Sequence, residues 1–211
     1  EDLVLRWLEL GIFTPLMRNH SAMGTRVQEA YRFEKIDGFR HIISMRYKLL
    51  PYLYSEYMKA VLRDEMMFRP LAFDYPEDRR AVKVEDQLLL GDGMMIAPVY
   101  EQNAEGRYVY LPERMKLVRF KEDGTKEEEI LEKGDHYVEV ALTDVIFFIR
   151  PDHLIPMAKG GQCVDEVDFD HPECIGFVEN AAEYEYYNDN GYEKDYENPA
   201  HITVFRMEAE K

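Results

Sequence analysis

Three side chains with hydrogen-bonding or ionic chemistry lie close together in one short stretch of the sequence. FTPLMRNHSAMGTR, residues 13–26, carries Arg18, His20 and Arg26 directly after an apolar run and Pro15. An imidazole can donate and accept hydrogen bonds, which suits a ligand that carries hydroxyl groups, whereas a guanidinium suits a carboxylate. A single loop histidine is more often structural than functional. The elements around this loop must therefore decide its role.

The composition is that of a globular chain with a strong negative charge. Its 211 residues are 46% hydrophobic and 13% aromatic, which is enough to bury a sizeable core. The formal net charge is −16, so nucleic acid or an anionic membrane surface would be repelled. No run approaches the roughly 20 apolar residues of a membrane-spanning helix, and the first residues lack the pattern of a signal peptide. We expect no nucleic-acid partner and no membrane partner.

The cysteines and one acidic turn give no metal or disulfide signal. Cys163 and Cys174 are too few for a disulfide framework and have no histidine or cysteine at zinc-ligand spacing. NDNG, residues 188–191, resembles the start of a calcium loop but lacks the later acidic ligands, so it predicts a hairpin turn instead. We therefore expect no metal, no cofactor and a reducing, cytoplasmic location.

One long amphipathic helix is predicted before residue 68. Apolar residues recur at a spacing of three to four from Phe39 to Val61, so we expect a helix over about residues 38–62. Pro51 lies inside it and predicts either a kink near residues 47–51 or a break between two helices. Helical periodicity is already present at EDLVLRWLELGIF, so we expect the sequence to be a segment of a longer polypeptide.

After residue 68 the sequence consists of short apolar or alternating runs between turn residues, which predicts strands. The runs are MMIAPVY (94–100), RYVYLP (107–112), KLVRF (116–120), HYVEV (136–140), VIFFI (145–149), EYEYY (183–187) and HITVFRM (201–207). Glycines in EDGT (122–125) and NDNGY (188–192) indicate hairpin turns. The acidic run 126–135 is expected to be a solvated edge without a binding role. Such strands indicate β-sandwiches, which PDHLIPMAKGG (151–161) divides into two.

The predicted fold class is mainly β with an N-terminal helical segment. A strand-like run at GIFTPLM, one loop and one helix do not form a domain alone, so they indicate the last βα unit of a (β/α)8 barrel. Functional loops of such barrels follow the C-terminal ends of the strands, so the loop with His20 would face a pocket. We expect residues 1–67 to end the barrel, 68–152 to form one β-sandwich, and 153–211 a second, compact or incomplete one.

Several motifs, in order, resemble glycoside hydrolase family 31, the α-glucosidase family. They are RWLELGIFTPLMRNHS (6–21), GTRVQE (24–29), RYKLLPYLYSEY (46–57) and LLLGDGMMIAPVYEQNAEGRYVYLP (88–112). The resemblance continues through VIFFIRPDHLIPMA (145–158) and YYNDNGYEKDY (186–196), so it covers nearly the whole chain. It implies a catalytic barrel whose last strand and helix run into a proximal and then a distal β-sandwich, in agreement with the elements described above.

The resemblance also implies a retaining mechanism whose two aspartates are missing from this sequence. Enzymes of the family use one aspartate as nucleophile and one as acid/base, on earlier barrel strands. No WxDMNE-like and no GDN-like stretch occurs here, and Asp92 in LGDGMM lies in the sandwich region, so it is not assigned as a catalyst. We expect the 211-residue chain alone to be inactive, although the resemblance implies that it is part of an enzyme that hydrolyses terminal α-linked sugars.

In the family that this sequence resembles, the histidine of the R-N-H motif reaches the pocket that holds the terminal sugar. That role falls on His20, which is the predicted substrate-binding residue. Arg18 is predicted to support the pocket by pairing with a carboxylate of its wall. Arg26, Gln28 and Glu29 are predicted to order the chain that leaves the pocket.

The expected partners are an α-linked oligosaccharide, bound by the intact enzyme, and the rest of the catalytic barrel. The helix over residues 38–62 is expected to pack against that barrel. In the isolated chain, it would therefore expose a large apolar patch. The alternative interpretation is a non-catalytic β-sandwich that binds carbohydrate or protein. Tyr184, Tyr186 and Tyr187 suit a sugar-stacking platform, although alternating tyrosines on a strand are more often packing residues.

Overall fold

The computed structural model describes residues 1–192 and 194–209. Two long helices, α1 at Asp2–Gly11 and α2 at Ile36–Arg63, precede most of the strands, and a short helix α3 lies at Leu71–Asp74. The strands are β1 Phe68–Pro70, β2 Leu88–Leu90, β3 Met94–Ile96, β4 Gly106–Leu111, β5 Met115–Phe120, β6 Lys126–Leu131, β7 Gly134–Glu139, β8 Val145–Ile149, β9 His153–Met157, β10 Glu173–Phe177, β11 Ala181–Tyr187 and β12 Ile202–Glu208. Three residues lie outside the described part of the chain. They are residue 193, inside the stretch 186–196, and residues 210 and 211, at the end of the predicted second sandwich.

The strands form one six-stranded sheet and three two-stranded sheets. The large sheet has the order β1-β2-β3-β8-β5-β6, while β4 pairs with β7, β9 with β10 and β11 with β12. All of these pairs are antiparallel. A strand lies in each of the seven predicted runs, and the mainly β fold with an N-terminal helical segment is confirmed. Strands β1 and β2 were missed because three residues are too few to show alternation.

The six-stranded sheet carries an apolar core on each face. Successive residues of β8 enter opposite cores: Phe147 lies with the helices and β9–β11, whereas Phe148 lies with β4 and β7. This position between two layers explains why VIFFI is apolar without interruption, as expected of a strand covered on both faces. The predicted domain boundaries at residues 67 and 152 stay predictions, although α2 shares one core with β9–β11 and the large sheet.

The three tyrosines of β11 are packing residues. Tyr184, Tyr186 and Tyr187 are all buried. The Tyr184 ring lies 5.7 Å from that of Tyr52 on α2, measured between centroids, and the Tyr186 ring stacks on Phe205 of β12 at 5.1 Å. The buried rings leave no platform on which a sugar could stack.

The predicted strand at GIFTPLM is absent, because α1 runs to Gly11 and residues 12–16 form turns and bends. A central barrel strand needs hydrogen-bonding neighbours on both sides. No other segment among the described residues pairs with residues 12–17 as a strand. The apolar side chains Ile12 and Phe13 are instead buried in the core beside α2.

Helix α2 is continuous through Pro51, so the predicted break between two helices is wrong. Proline removes one helical hydrogen bond and crowds the preceding turn. Tertiary packing offsets this loss, because Leu49, Tyr52 and Leu53 on both sides of the proline are buried in the core. Ser55 Oγ also donates to the Pro51 carbonyl at 2.8 Å.

The expected apolar patch on α2 is also wrong. The apolar side of α2, including Phe39, Ile42 and Met45, is buried in the core that β9 and β11 complete. On α2 itself two large apolar side chains, Tyr57 and Val61, are exposed, whereas α1 and the chain between α1 and α2 expose six, namely Leu3, Trp7, Leu16, Met23, Val27 and Tyr31. We call these six residues the α1 surface.

Two further predictions in the second β region fail. PDHLIPMAKGG does not interrupt the strands, because β9 occupies His153–Met157 and pairs along its length with β10. Pro156 is tolerated because β9 has a single hydrogen-bonded neighbour strand. NDNGY is not a tight hairpin: Tyr187 and Ile202 close a connection over residues 188–201, of which Gly191, at φ +73°, forms only one bend.

A buried arginine fixes α1 to the sandwich. Arg6 is 2% exposed and donates to the carbonyl oxygens of Ala104 at 2.7 Å, Val140 at 2.8 Å and Ala141 at 3.1 Å. It also donates to Glu9 Oε2 at 3.2 Å, while Glu9 Oε1 is buried without a hydrogen-bond partner. Burial outweighs the attraction of Arg6 and raises the pKa of Glu9 from 4.5 to about 8, with Asp144 and Asp2 adding to the increase.

This burial predicts a pH-dependent stability that Glu9→Gln removes. Between pH 4.5 and about 8 the folded chain keeps a proton on Glu9 that the unfolded chain releases. The free energy of unfolding therefore falls as pH rises, by up to about 1.4 kcal/mol per pH unit from this group. Urea unfolding at pH 5, 6, 7 and 8 measures the slope, which should flatten in Glu9→Gln and remain in the exposed control Glu101→Gln. Equal slopes in the wild type and Glu9→Gln would contradict this prediction.

Candidate functional site

The loop that carries His20 is fixed to α2 by one arginine. Arg46 donates to the carbonyl oxygens of Ile12 at 2.8 Å, Thr14 at 2.5 Å and Pro15 at 3.1 Å. These three carbonyls follow the C-terminal end of α1, where helical partners run out. Thr14 Oγ1 lies 2.8 Å from the Gly11 carbonyl oxygen and 2.9 Å from that of Leu16, within hydrogen-bonding distance of both. Arg46 therefore determines the direction in which the chain leaves α1 toward His20.

A second contact joins the two ends of the loop. Asn19 Nδ2 donates to the Gln28 carbonyl oxygen at 2.6 Å. Because Asn19 is the residue directly before His20, this bond fixes the backbone from which His20 projects. A cavity of about 260 Å³ lies between α1 and the loop and is lined by Trp7, Met17, Arg18 and Gln28, among others, but not by His20.

Arg18 and His20 contact each other on this loop. Arg18 Nη2 lies 3.1 Å from His20 Nδ1, and both side chains are exposed. A guanidinium can only donate, so this contact is a hydrogen bond in the tautomer that carries the ring proton on Nε2. His20 thus presents Nε2–H as a hydrogen-bond donor on the outside of the loop.

The other predicted residues of the loop have different positions. Among the described residues, no carboxylate forms an ion pair with Arg18, whose contact is the ring of His20. Gln28 contributes its backbone carbonyl to the loop. Arg26 and Glu29 are exposed. Arg46 and Asn19 were not predicted from the sequence, although they lie inside the motifs RYKLLPYLYSEY and RWLELGIFTPLMRNHS, respectively.

Asp92 belongs to a network of ion pairs at the end of the large sheet. Arg69 forms a bidentate pair with Asp74 at 2.8 and 3.0 Å and also donates to Asp92 Oδ1 at 3.0 Å. Arg150 donates to Asp74 Oδ2 at 3.1 Å and to Glu113 Oε1 at 2.8 Å. The hydrogen bonds from Arg69 lower the pKa of Asp74. With its carboxylate held by Arg69, Asp92 has a structural partner.

The described residues contain no group of three or more His, Cys, Asp or Glu side chains arranged to hold a metal ion. Cys163 and Cys174 are both free thiols. None of the described helices combines the length and the apolar character that crossing a membrane requires.

Two domain models of one protein family match the chain. Residues 1–56 match "Glycosyl hydrolases family 31 TIM-barrel domain", and residues 64–155 match "Glycosyl hydrolase family 31 C-terminal domain". The His20 loop and most of α2 thus fall in the barrel match, and the large sheet falls in the second. The chain belongs to glycosyl hydrolase family 31 and corresponds to the C-terminal part of its enzymes.

Curated relatives and a solved structure agree with this assignment. "Alpha-glucosidase 2" of Bacillus thermoamyloliquefaciens is 29% identical over 209 residues, which are 97% of this chain and 26% of that enzyme. "Lysosomal alpha-glucosidase" of Bos taurus is 41% identical over 115 residues, 54% of this chain and 12% of that enzyme. The glucose complex of a family 31 dextranase from Flavobacterium johnsoniae superposes with a TM-score of 0.80 at 30% identity, over 99% of this chain and 26% of that one. The chain therefore spans about a quarter or less of these proteins.

Proposed function

We propose that the chain serves the hydrolysis of terminal α-linked glucose from oligosaccharides as the C-terminal part of a retaining α-glucosidase. The observation that carries this proposal is the arrangement of the loop inside the barrel match, where Arg46 and Asn19 fix the backbone and Arg18 fixes the ring of His20. Ordering an exposed side chain costs conformational entropy, which contacts with a bound ligand can offset. The family and the relatives of the chain indicate that this ligand is a sugar.

In this proposal His20 binds and orients the sugar without breaking a bond itself. Its Nε2–H donates to a hydroxyl oxygen of the terminal glucose, and Arg18 keeps Nδ1 occupied so that the donor points outward. A donor that strengthens as the ring distorts toward an oxocarbenium-like state stabilises the transition state more than the ground state. His20 would thereby contribute to rate as well as to affinity.

The two catalytic carboxylates would come from earlier strands of the barrel, which the α1 surface would help to cover. Trp7 and the other five apolar residues of the α1 surface are exposed in this chain. Exposed apolar groups clustered along one helix and its following loop are typical of a surface that packs against another protein segment. We infer that the rest of the barrel packs there.

The 211-residue chain alone should show no α-glucosidase turnover. A retaining mechanism needs a nucleophile and an acid/base carboxylate, and neither family motif occurs in this sequence. The assay is release of nitrophenol from 4-nitrophenyl α-glucoside, with an intact family 31 enzyme as positive control. Turnover that co-purifies with the chain and is absent from a mock purification would contradict the prediction.

A further inference from the structure

The largest cavity described lies between α2 and two loops of the second β region. Its volume is about 810 Å³, which is within the range of small-molecule sites. Its lining residues are Leu50 and Tyr54 from α2, Val164, Asp165, Val167, Asp168, Phe169 and Asp170 from the first loop, and Asn188, Asp189, Asn190, Gly191, Tyr192 and His201 from the connection after β11. It shares no residue with the His20 loop.

Hydrogen bonds to one carboxylate hold the connection after β11 in place against α2. Asp189 Oδ1 accepts from Tyr54 OH at 3.0 Å and from the Gly191 amide at 2.8 Å. Asp189 Oδ2 accepts from Tyr187 OH at 3.1 Å. Because three donors hold this carboxylate, Asp189 acts as a structural member of the cavity wall.

The opposite wall is tied to the same strand. Tyr186 OH donates to the Phe169 carbonyl oxygen at 2.6 Å, and Asn188 Nδ2 donates to Asp170 Oδ1 at 2.9 Å. Asp168 is held within its own turn, where Oδ1 accepts from the backbone amide of Asp170 at 3.0 Å. The cavity is therefore preformed, which lowers the entropic cost of binding a ligand.

The charge and the rings of the lining define a class of ligand. Four aspartates and no lysine or arginine line the cavity, which disfavours an anionic ligand. With Asp189 and Asp168 held by neighbouring donors, Asp165 remains as an acceptor for ligand hydroxyl groups, together with Oδ2 of Asp170, whose Oδ1 accepts from Asn188. Tyr192 is 87% exposed and Phe169 is half-buried, so both rings can contact an apolar ligand face.

We propose that this cavity binds a neutral oligosaccharide, with the ring of Tyr192 against the apolar face of one sugar and Asp165 and Asp170 accepting its hydroxyl hydrogens. The lining selects a neutral, hydroxyl-rich ligand, and the choice of α-linked glucose units rests on the proposed function. Such binding would hold a polymeric substrate through the C-terminal part of the enzyme, independently of His20.

The test is a titration of the 211-residue chain with isomaltotriose, followed by two-dimensional NMR. Saturable shifts should occur at residues of the two loops, with a dissociation constant on the order of millimolar, as for a few contacts to a small ligand. Tyr192→Ala and Asp165→Ala should each weaken binding by roughly tenfold, the effect of losing one central contact. Both side chains are exposed, so their thermal midpoints should stay unchanged.

Matched controls separate this proposal from the function of the His20 loop. Tyr108→Ala removes a tyrosine that is likewise exposed, on β4, and should leave binding unchanged. His20→Ala should also leave unchanged the chemical-shift changes that isomaltotriose causes in the two cavity loops, whatever its effect on catalysis. No saturable shifts, equal affinity in Tyr192→Ala and the wild type, or binding of the amine spermidine without a response to isomaltotriose would each overturn the proposal.

Discussion

Arg6→Ala should destabilise the 211-residue chain by about 3–5 kcal/mol, because three carbonyl oxygens lose a charged donor at a cost of about 1–3 kcal/mol each. The substitution leaves the carbonyl oxygens of Ala104, Val140 and Ala141 without their donor and leaves Glu9 buried without its partner. For a chain of this size the thermal midpoint should fall on the order of 10 °C. Differential scanning calorimetry and urea unfolding measure the change.

Arg40→Ala is the matched control for this prediction. Arg40 pairs with Asp37 three residues earlier on α2, just as Arg6 pairs with Glu9 three residues later on α1, but its side chain is 70% exposed. An exposed pair of this kind contributes less than about 1 kcal/mol. Similar losses in the two variants would show that Arg6 does not fix α1 to the sandwich.

The periodic elements of this fold could be predicted from the sequence, because burial on one or two faces leaves a repeating pattern. Helix α2 lies within a few residues of its predicted bounds, and VIFFI forms the central strand β8. Strand β9 could not be predicted because Pro156 disfavours a strand; the proline is acceptable because, among the described residues, β9 is hydrogen-bonded to β10 on one side only.

Failures at the N-terminal end have another physical cause. GIFTPLM is apolar enough for a buried strand, but a strand forms only with neighbours to pair with, and the described residues provide none. Contacts across long separations were likewise invisible: Arg6 and Val140 are 134 residues apart, and Arg46 and Ile12 are 34 apart. Nothing in the local sequence marks such partners.

His20 could be identified only through the family resemblance, since a lone loop histidine carries little information. The structure adds the contact with Arg18, two residues away, and with it the tautomer that makes Nε2 a donor. The substrate-binding role of His20 stays a prediction. That role is what the proposed function most depends on.

In the complete enzyme, His20→Ala should lower kcat/KM for maltose by roughly 30- to 1,000-fold. Loss of one preorganised donor to the reacting sugar costs on the order of 2–4 kcal/mol of transition-state stabilisation. The loop should stay folded, because Arg46 and Asn19 hold its backbone without help from His20. Part of the loss should appear in kcat, since the bond strengthens as the sugar ring distorts.

Steady-state kinetics of His20→Ala beside His171→Ala is the most direct test of the sugar-binding role of His20. Both histidines lie on exposed segments, and each has a polar contact at Nδ1 of 3.1 Å, with Arg18 and Asp168 respectively. Thermal midpoints of both variants should match the wild type. We expect a loss of at least about 30-fold in kcat/KM for His20→Ala and less than about twofold for His171→Ala. Equal, small effects in the two variants would contradict that role.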